Sequence, residues 1–256
     1  MTDLEGALRA RRDDGGGAFV PYVTGGLAGV DADLLGGLAA AGADAVEVGV
    51  PFSDPVMDGG VIQEASRRAL EAGTTPEDVL AIVEEAALEI PVAVMTYFNP
   101  VFRRGVEGFL RRAARAGVAG LIVPDLPADE AEGLVDACRG LGVAPVLLAA
   151  PGATADRLGL IAARSGGFVY CVASYGVTGQ RDALSGTAAG LVAALRPLTD
   201  LPLLLGVGIT TPAQAAEACG FADGVVVGSA LVRPLLENRH DDALALARAF
   251  RAAIPA

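Results

Sequence analysis

The stretch VEVGVPFSDPVMDGG, Val46 to Gly60, sets one glutamate inside a short apolar run and follows it with a loop that carries two more carboxylates. The run Ala45–Val50 reads as a strand, in which successive side chains alternate faces. Val46, Val48 and Val50 therefore share one face, and Glu47 and Gly49 the other. Branched valines suit packing against helices, so Glu47 points away from them into the interior with a glycine beside it. A carboxylate there is costly to bury without a role or a partner. Either Glu47 satisfies buried polar groups or pairs with an arginine, or it does chemistry.

Outward from this stretch, short runs rich in valine and leucine alternate with segments of helical period. The strand candidates are Phe19–Thr24, Ala45–Val50, Pro91–Tyr97, Gly120–Asp125, Ala144–Ala150, Phe168–Ala173, Pro202–Gly208 and Gly224–Gly228, and a first helix, Leu4–Arg12, precedes them. Strand followed by helix, eight times in 256 residues, is the count of a (β/α)8 TIM barrel in the α/β class, here with an extra N-terminal helix. A doubly wound open sheet is the runner-up, but its Gly-rich first turn is missing. No linker or low-complexity tract divides the chain, so residues 1–256 read as one barrel domain.

In a barrel the loop after the second strand lies at the C-terminal mouth, where such folds keep their chemistry. Asp54-Pro and Asp58-Gly are ordinary turn signals. Position lifts them, because two carboxylates in different settings can divide into an acid and a base. Gly206-Val207-Gly208-Ile209-Thr210 and Gly228-Ser229-Ala230 follow the last two strands, whose loops commonly cradle phosphate through backbone N–H groups. Gly176-Val177-Thr178-Gly179, after the sixth strand, is placed to close over them. Each glycine pair also suits a plain tight turn.

Composition removes other chemistries. The 19 basic residues are all arginines, which excludes an imine-forming lysine, a pyridoxal-phosphate anchor and a P-loop lysine. His240 is the only histidine, which argues against a histidine-ligated metal. No cofactor is expected, and acid–base work falls to carboxylates, tyrosines or cysteine. A formal net charge of -12 with no basic stripe argues against nucleic acid or an anionic membrane. Cys138, Cys171 and Cys219 lack CxxC spacing and fit reduced thiols. The N-terminus lacks the apolar core of a signal peptide, and a cytoplasmic location is expected.

With these residues in view, the chain resembles the tryptophan synthase alpha subunit family. The resemblance rests on FVPYVT (Phe19–Thr24), EVGVPFSDPVMDG (Glu47–Gly59), VIQEASRRAL (Val61–Leu70), MTYFNPVF (Met95–Phe102), VPDLP (Val123–Pro127), GVTG (Gly176–Gly179), GVGI (Gly206–Ile209) and ADGVVVGSALV (Ala222–Val232). It implies cleavage of indole-3-glycerol phosphate to indole and glyceraldehyde 3-phosphate, with indole passed to a pyridoxal-phosphate beta subunit in an alpha2beta2 heterotetramer. It also implies roles: Glu47 as general acid and base at indole C3 and the glycerol hydroxyl, and Asp58 as partner of the indole N–H. Gly179, Gly208, Gly228 and Ser229 match phosphate-binding positions, and Thr178 a loop-closing threonine. Tyr22, Tyr97, Ile122, Leu148 and Tyr170 match positions lining the indole pocket, although such residues in a barrel often only fill space.

The chain departs from the family pattern at four places. Gly-Gly-Leu-Ala follows Thr24 where the family usually has a short turn with Asp-Pro. Gly60 replaces a proline, which should loosen the loop. Ala173-Ser174-Tyr175 precedes GVTG, and Val207 replaces a phenylalanine, leaving indole-pocket space for Tyr175 to fill. These changes keep two further readings open: a stand-alone lyase releasing free indole for specialised metabolism, and a non-catalytic allosteric activator of a beta-type partner.

Overall fold

The computed structural model describes residues 3–172, 181–206 and 208–256, with only the backbone of 181–185. Nine short parallel strands form one sheet: β1 (Ala18–Thr24), β2 (Val46–Gly49), β3 (Val92–Met95), β4 (Val118–Ile122), β5 (Ala144–Val146), β6 (Leu148–Ala149), β7 (Val169–Val172), β8 (Leu203–Gly206) and β9 (Gly224–Val227). Their order is β5-β4-β3-β2-β1-β9-β8-β7-β6. Only Leu147 separates β5 from β6, and its carbonyl accepts a hydrogen bond from the Tyr170 amide at 3.0 Å. β5 pairs with β4 and β6 with β7, so the two segments share one position and the sheet closes as an eight-position ring. The run expected as a single strand, Ala144–Ala150, is thus one strand interrupted at Leu147.

Among the described residues, twelve α-helices pack against the ring: α1 (Leu4–Asp13), α2 (Ala32–Ala40), α3 (Gly60–Glu71), α4 (Pro76–Ala86), α5 (Phe98–Arg103), α6 (Val106–Arg115), α7 (Glu132–Gly140), α8 (Ala155–Arg164), α9 (Arg181–Leu195), α10 (Pro212–Ala218), α11 (Ser229–Leu236) and α12 (His240–Ala253). Their starts follow local chemistry: Asp31 caps α2, and Thr75 and Thr211 form capping boxes with Asp78 and Gln214. Two of the helices border the mouth of the ring. One is α5, whose first amide, Phe98 N–H, is capped from afar by Asp125 Oδ1 at 2.9 Å. The other is α11, which carries Pro234 within its eight residues.

Facing follows from one contact. Phe19 stacks on Phe250 of α12 at a centroid distance of 6.1 Å, so alternate residues of β1 starting at Phe19 face the helices. Tyr22 and Thr24 then face inward. Parallel register extends the assignment: Tyr22 pairs with Glu47 and Thr24 with Gly49; Glu47 pairs with Ala93 and Gly49 with Met95; Met95 pairs with Ile122. Glu47 lies inside the ring and the valines beside it outside, as the alternation predicted.

The N-terminal end of the ring is filled. Leu4 and Leu8 of α1 are buried, and a Cβ on Gly120 would stand 2.5 Å from Leu4 Cδ2. Below the strands, Arg251 of α12 holds Asp44 at 3.0 Å and the Gly17 carbonyl at 3.1 Å. Arg196 grips Asp223, which also accepts the Leu203 amide at 2.8 Å. The C-terminal mouth is the open end. No described helix is long and apolar enough to cross a membrane.

Candidate active site

Glu47, midway along β2, is 1% exposed, and neither carboxyl oxygen has a hydrogen-bond partner among the described residues. No arginine or buried donor among the described residues accounts for the group. An orphaned buried carboxyl costs several kcal/mol as a rough order unless it stays protonated. Burial, with the Asp58 charge adding to it, pushes Glu47 up to about 8. The side chain is therefore an acid at neutral pH.

Two buried tyrosines flank it, each seated on a glycine of the neighbouring strand. A Cβ on Gly49 would stand 2.1 Å from the Tyr22 hydroxyl, and one on Gly206 would stand 2.3 Å from the Tyr170 hydroxyl. Any larger residue at either glycine would evict a ring. Tyr22 Oη lies 3.3 Å from Thr24 Oγ1, and burial, then the Asp58 charge, raises its phenol well above the ordinary range. Tyr170 is raised in the same way, by burial and then by Glu47.

Asp58 sits on the loop between β2 and α3, one residue before the Gly59 N-cap, half-buried at the mouth. Burial raises it to about 6, opposed by a hydrogen bond from the Tyr97 hydroxyl. It is thus ionised at neutral pH while Glu47 is not. The same Tyr97 oxygen accepts the Met57 amide at 3.0 Å, and its ring stacks on Phe52 at 4.9 Å. The loop is tied further by Gln63 Nε2, which donates to the Asp58 carbonyl at 2.9 Å. Asp54 is exposed and accepts the Ser53 hydroxyl at 2.5 Å, a local turn contact.

Across β1 from that loop, after β8, Gly208 holds φ +99°, a left-handed backbone that suits glycine. Gly228 is the N-cap of α11 and Ser229 its first residue, with no side chain capping the helix. The first amides of a helix lack internal acceptors and point their dipole outward, so this rim suits an anion. Tyr22, Tyr97, Ile122 and Tyr170 are buried and Leu148 half-buried. A cavity of about 420 Å³ opens past Met57, Leu148 and Val172. Tyr175, Thr178, Gly179 and Val207 lie outside the described residues.

Sequence reading missed three features of this site. The link from Tyr97 to Met57 and Asp58 spans 40 positions and leaves no periodic trace. The seating of each tyrosine on a glycine depends on strand register. The helix behind Ser229 was hidden by its internal proline.

A parallel (β/α)8 ring that gathers a buried carboxyl, a loop carboxyl and the N-terminus of α11 at one end has the architecture of a barrel enzyme. The family model described as tryptophan synthase alpha chain matches residues 8–253, and the chain belongs to that family. A tryptophan synthase alpha chain from Carboxydothermus hydrogenoformans is 46% identical, covering 93% of this chain and 90% of that one. One from Rippkaea orientalis is 43% identical, covering 98% and 96%. Among solved structures, tryptophan synthase of Mycobacterium tuberculosis superposes with a TM-score of 0.92 at 36% identity, covering 100% of this chain and 99% of that one. The alpha subunit from Legionella pneumophila gives 0.89 at 32% identity, covering 99% and 98%.

Proposed function

We propose that this chain cleaves indole-3-glycerol phosphate to indole and glyceraldehyde 3-phosphate as the alpha subunit of tryptophan synthase, working in the cytoplasm with a beta subunit. The observation that carries the mechanism is the partnerless carboxyl of Glu47 inside the ring, with an ionised Asp58 at the mouth.

A retro-aldol cleavage needs an electron sink. The chain has no lysine to form an imine, so the substrate's own indole ring serves once C3 is protonated. Neutral Glu47 gives its proton to indole C3, placing positive charge at the ring nitrogen. Asp58 accepts a hydrogen bond from the indole N–H and stabilises that charge. The Glu47 carboxylate then takes the proton of the glycerol hydroxyl next to C3. As that oxygen becomes the aldehyde, the bond to C3 breaks and its electron pair returns to the ring. Indole leaves, and Glu47 is protonated again.

In this reading the phosphate end of the substrate lies against Gly208, Gly228 and Ser229, with the α11 N-terminus facing the anion; Thr178 and Gly179, which the resemblance assigns to the same end, lie outside the described residues. Tyr22, Tyr97, Ile122, Leu148 and Tyr170 line the indole end in this reading. No metal or cofactor takes part in this reaction. Exposed Val56 (79%), Met57 (41%) and Phe102 (65%) offer a partner an apolar surface beside the catalytic loop.

The test is indole release from indole-3-glycerol phosphate by the purified chain, alone and with a tryptophan synthase beta subunit. Slow release that the partner accelerates is expected; release equally fast without it marks a stand-alone lyase, and none in either condition sinks the assignment. Glu47→Gln should lower release by about 100-fold or more. Near-wild-type release by that variant would remove Glu47 from the chemistry.

A further inference from the structure

We propose that Tyr97 is a positioning residue for Asp58: its hydroxyl bridges the Met57 amide and the Asp58 carboxylate and holds the catalytic loop against the barrel mouth. This goes beyond lining the indole pocket and rests on the reading of Asp58 above.

Tyr97 is 2% exposed, and its phenol oxygen accepts from Met57 N–H at 3.0 Å, one residue before Asp58. The phenol proton is left for the carboxylate of Asp58, the next residue along the loop, whose pKa Tyr97 holds below what burial alone would give. The ring grips the loop at a third residue, stacking on Phe52 at 4.9 Å and an interplanar angle of 25°. Phe52 and Asp58 are the two ends of the segment that crosses the mouth, so a single side chain fastens both.

Tyr97 is itself fixed. It is the N-cap of α5, and the amide that follows it, Phe98 N–H, is held by Asp125 Oδ1 at 2.9 Å. Thr96 N–H donates to the Ile122 carbonyl at 3.0 Å. The loop after β2 thus leans on the end of β3, which leans on β4 and the loop behind it. The rest of the loop is open: Val56 and Met57 are exposed, and Gly59 and Gly60 have no atoms within 4 Å of where a Cβ would stand. Tyr97 supplies the anchor that those residues do not. Among the described residues, the groups facing Asp58 are the phenol of Tyr97, and the carboxyl of Glu47 and phenols of Tyr22 and Tyr170 within the ring.

Tyr97→Phe keeps the ring on Phe52 and deletes only the hydroxyl, and a thermal melt checks that the variant folds. The decisive readout is the titration of the Asp58 carboxyl by carbon-13 NMR in both proteins. The midpoint is expected to rise by about one pH unit in the variant, because a hydrogen bond to the ionised form is lost. The Met57 amide should exchange faster with solvent. Where the wild type releases indole, kcat/KM should fall roughly 10- to 100-fold, with the acid limb of its pH profile moving the same way. An Asp58 midpoint within about 0.2 units of wild type overturns the proposal, whatever the activity does. A wild type without lyase activity would fail the functional reading, while the titration still decides the bridge.

Discussion

Glu47 and Asp58 are the same kind of group in two environments, and their difference makes a pH profile. Buried without a partner among the described residues, Glu47 stays protonated up to about 8; half-buried beside Tyr97, Asp58 ionises above about 6. The proposed cleavage needs the first protonated and the second ionised. The profile of kcat/KM is therefore expected to rise through about 6 and fall through about 8, and a flat profile across that range would count against the division of roles. Stability responds in the opposite sense from a salt-bridged carboxylate. The Glu47 pKa is higher in the folded chain than in the unfolded one, so its contribution to stability is lost as pH rises from the ordinary carboxylate range through about 8. Glu47→Gln cannot ionise, and at pH 8 it should be more stable than wild type by on the order of 1–3 kcal/mol in urea unfolding.

At the scale of elements, the departure at Gly60 has a structural meaning. Gly60 is the first residue of α3, and Gly59 before it has φ -73° and ψ 160°. A first helical position has no amide partner to lose and tolerates proline, and an extended preceding residue is what proline requires. Gly60→Pro should stabilise the protein by about 0.4–1 kcal/mol, measured by chemical denaturation. Loss of stability would mean that the start of α3 needs the freedom glycine provides. The Gly25-Gly26-Leu27-Ala28 departure is also accommodated: Thr74 Oγ1 meets the Gly26 carbonyl at 3.4 Å, and His240 Nε2 lies 3.2 Å from that of Ala28. The histidine singled out by its rarity is thus a loop contact far from the carboxylates.

For the whole molecule, one end of the barrel is sealed and the other bears both the chemistry and the exposed apolar residues. Phe98 and Phe102 of α5 pack at 5.9 Å, and α5 begins beside Tyr97, which holds the catalytic loop. A partner covering Phe102 would press on the element that carries Tyr97. Phe102→Asp is expected to cut the acceleration of indole release by a beta subunit at least about tenfold, by leaving a charge in the covered surface. An unchanged acceleration, read from titrations with increasing partner, would place the interface elsewhere.

The sequence by itself determined the ring and the direction of its key carboxyl. A period of two in Ala45–Val50 sends Glu47 and the valines to opposite faces wherever the strand lies, and eight alternations of strand and helix leave few ways to close a sheet. Absence of lysine narrowed the chemistry before any coordinate was known. What only the tertiary structure decided is the company each group keeps. Tyr22 meets Gly49, Tyr170 meets Gly206 and Tyr97 meets Asp58 through strand register and loop packing, contacts between segments distant in sequence. Whether Glu47 had a partner was likewise undecidable from local pattern. Its protonation depends on the dielectric and the neighbours that the closed ring imposes, because ionisation responds to the space around a group and not to its place along the chain.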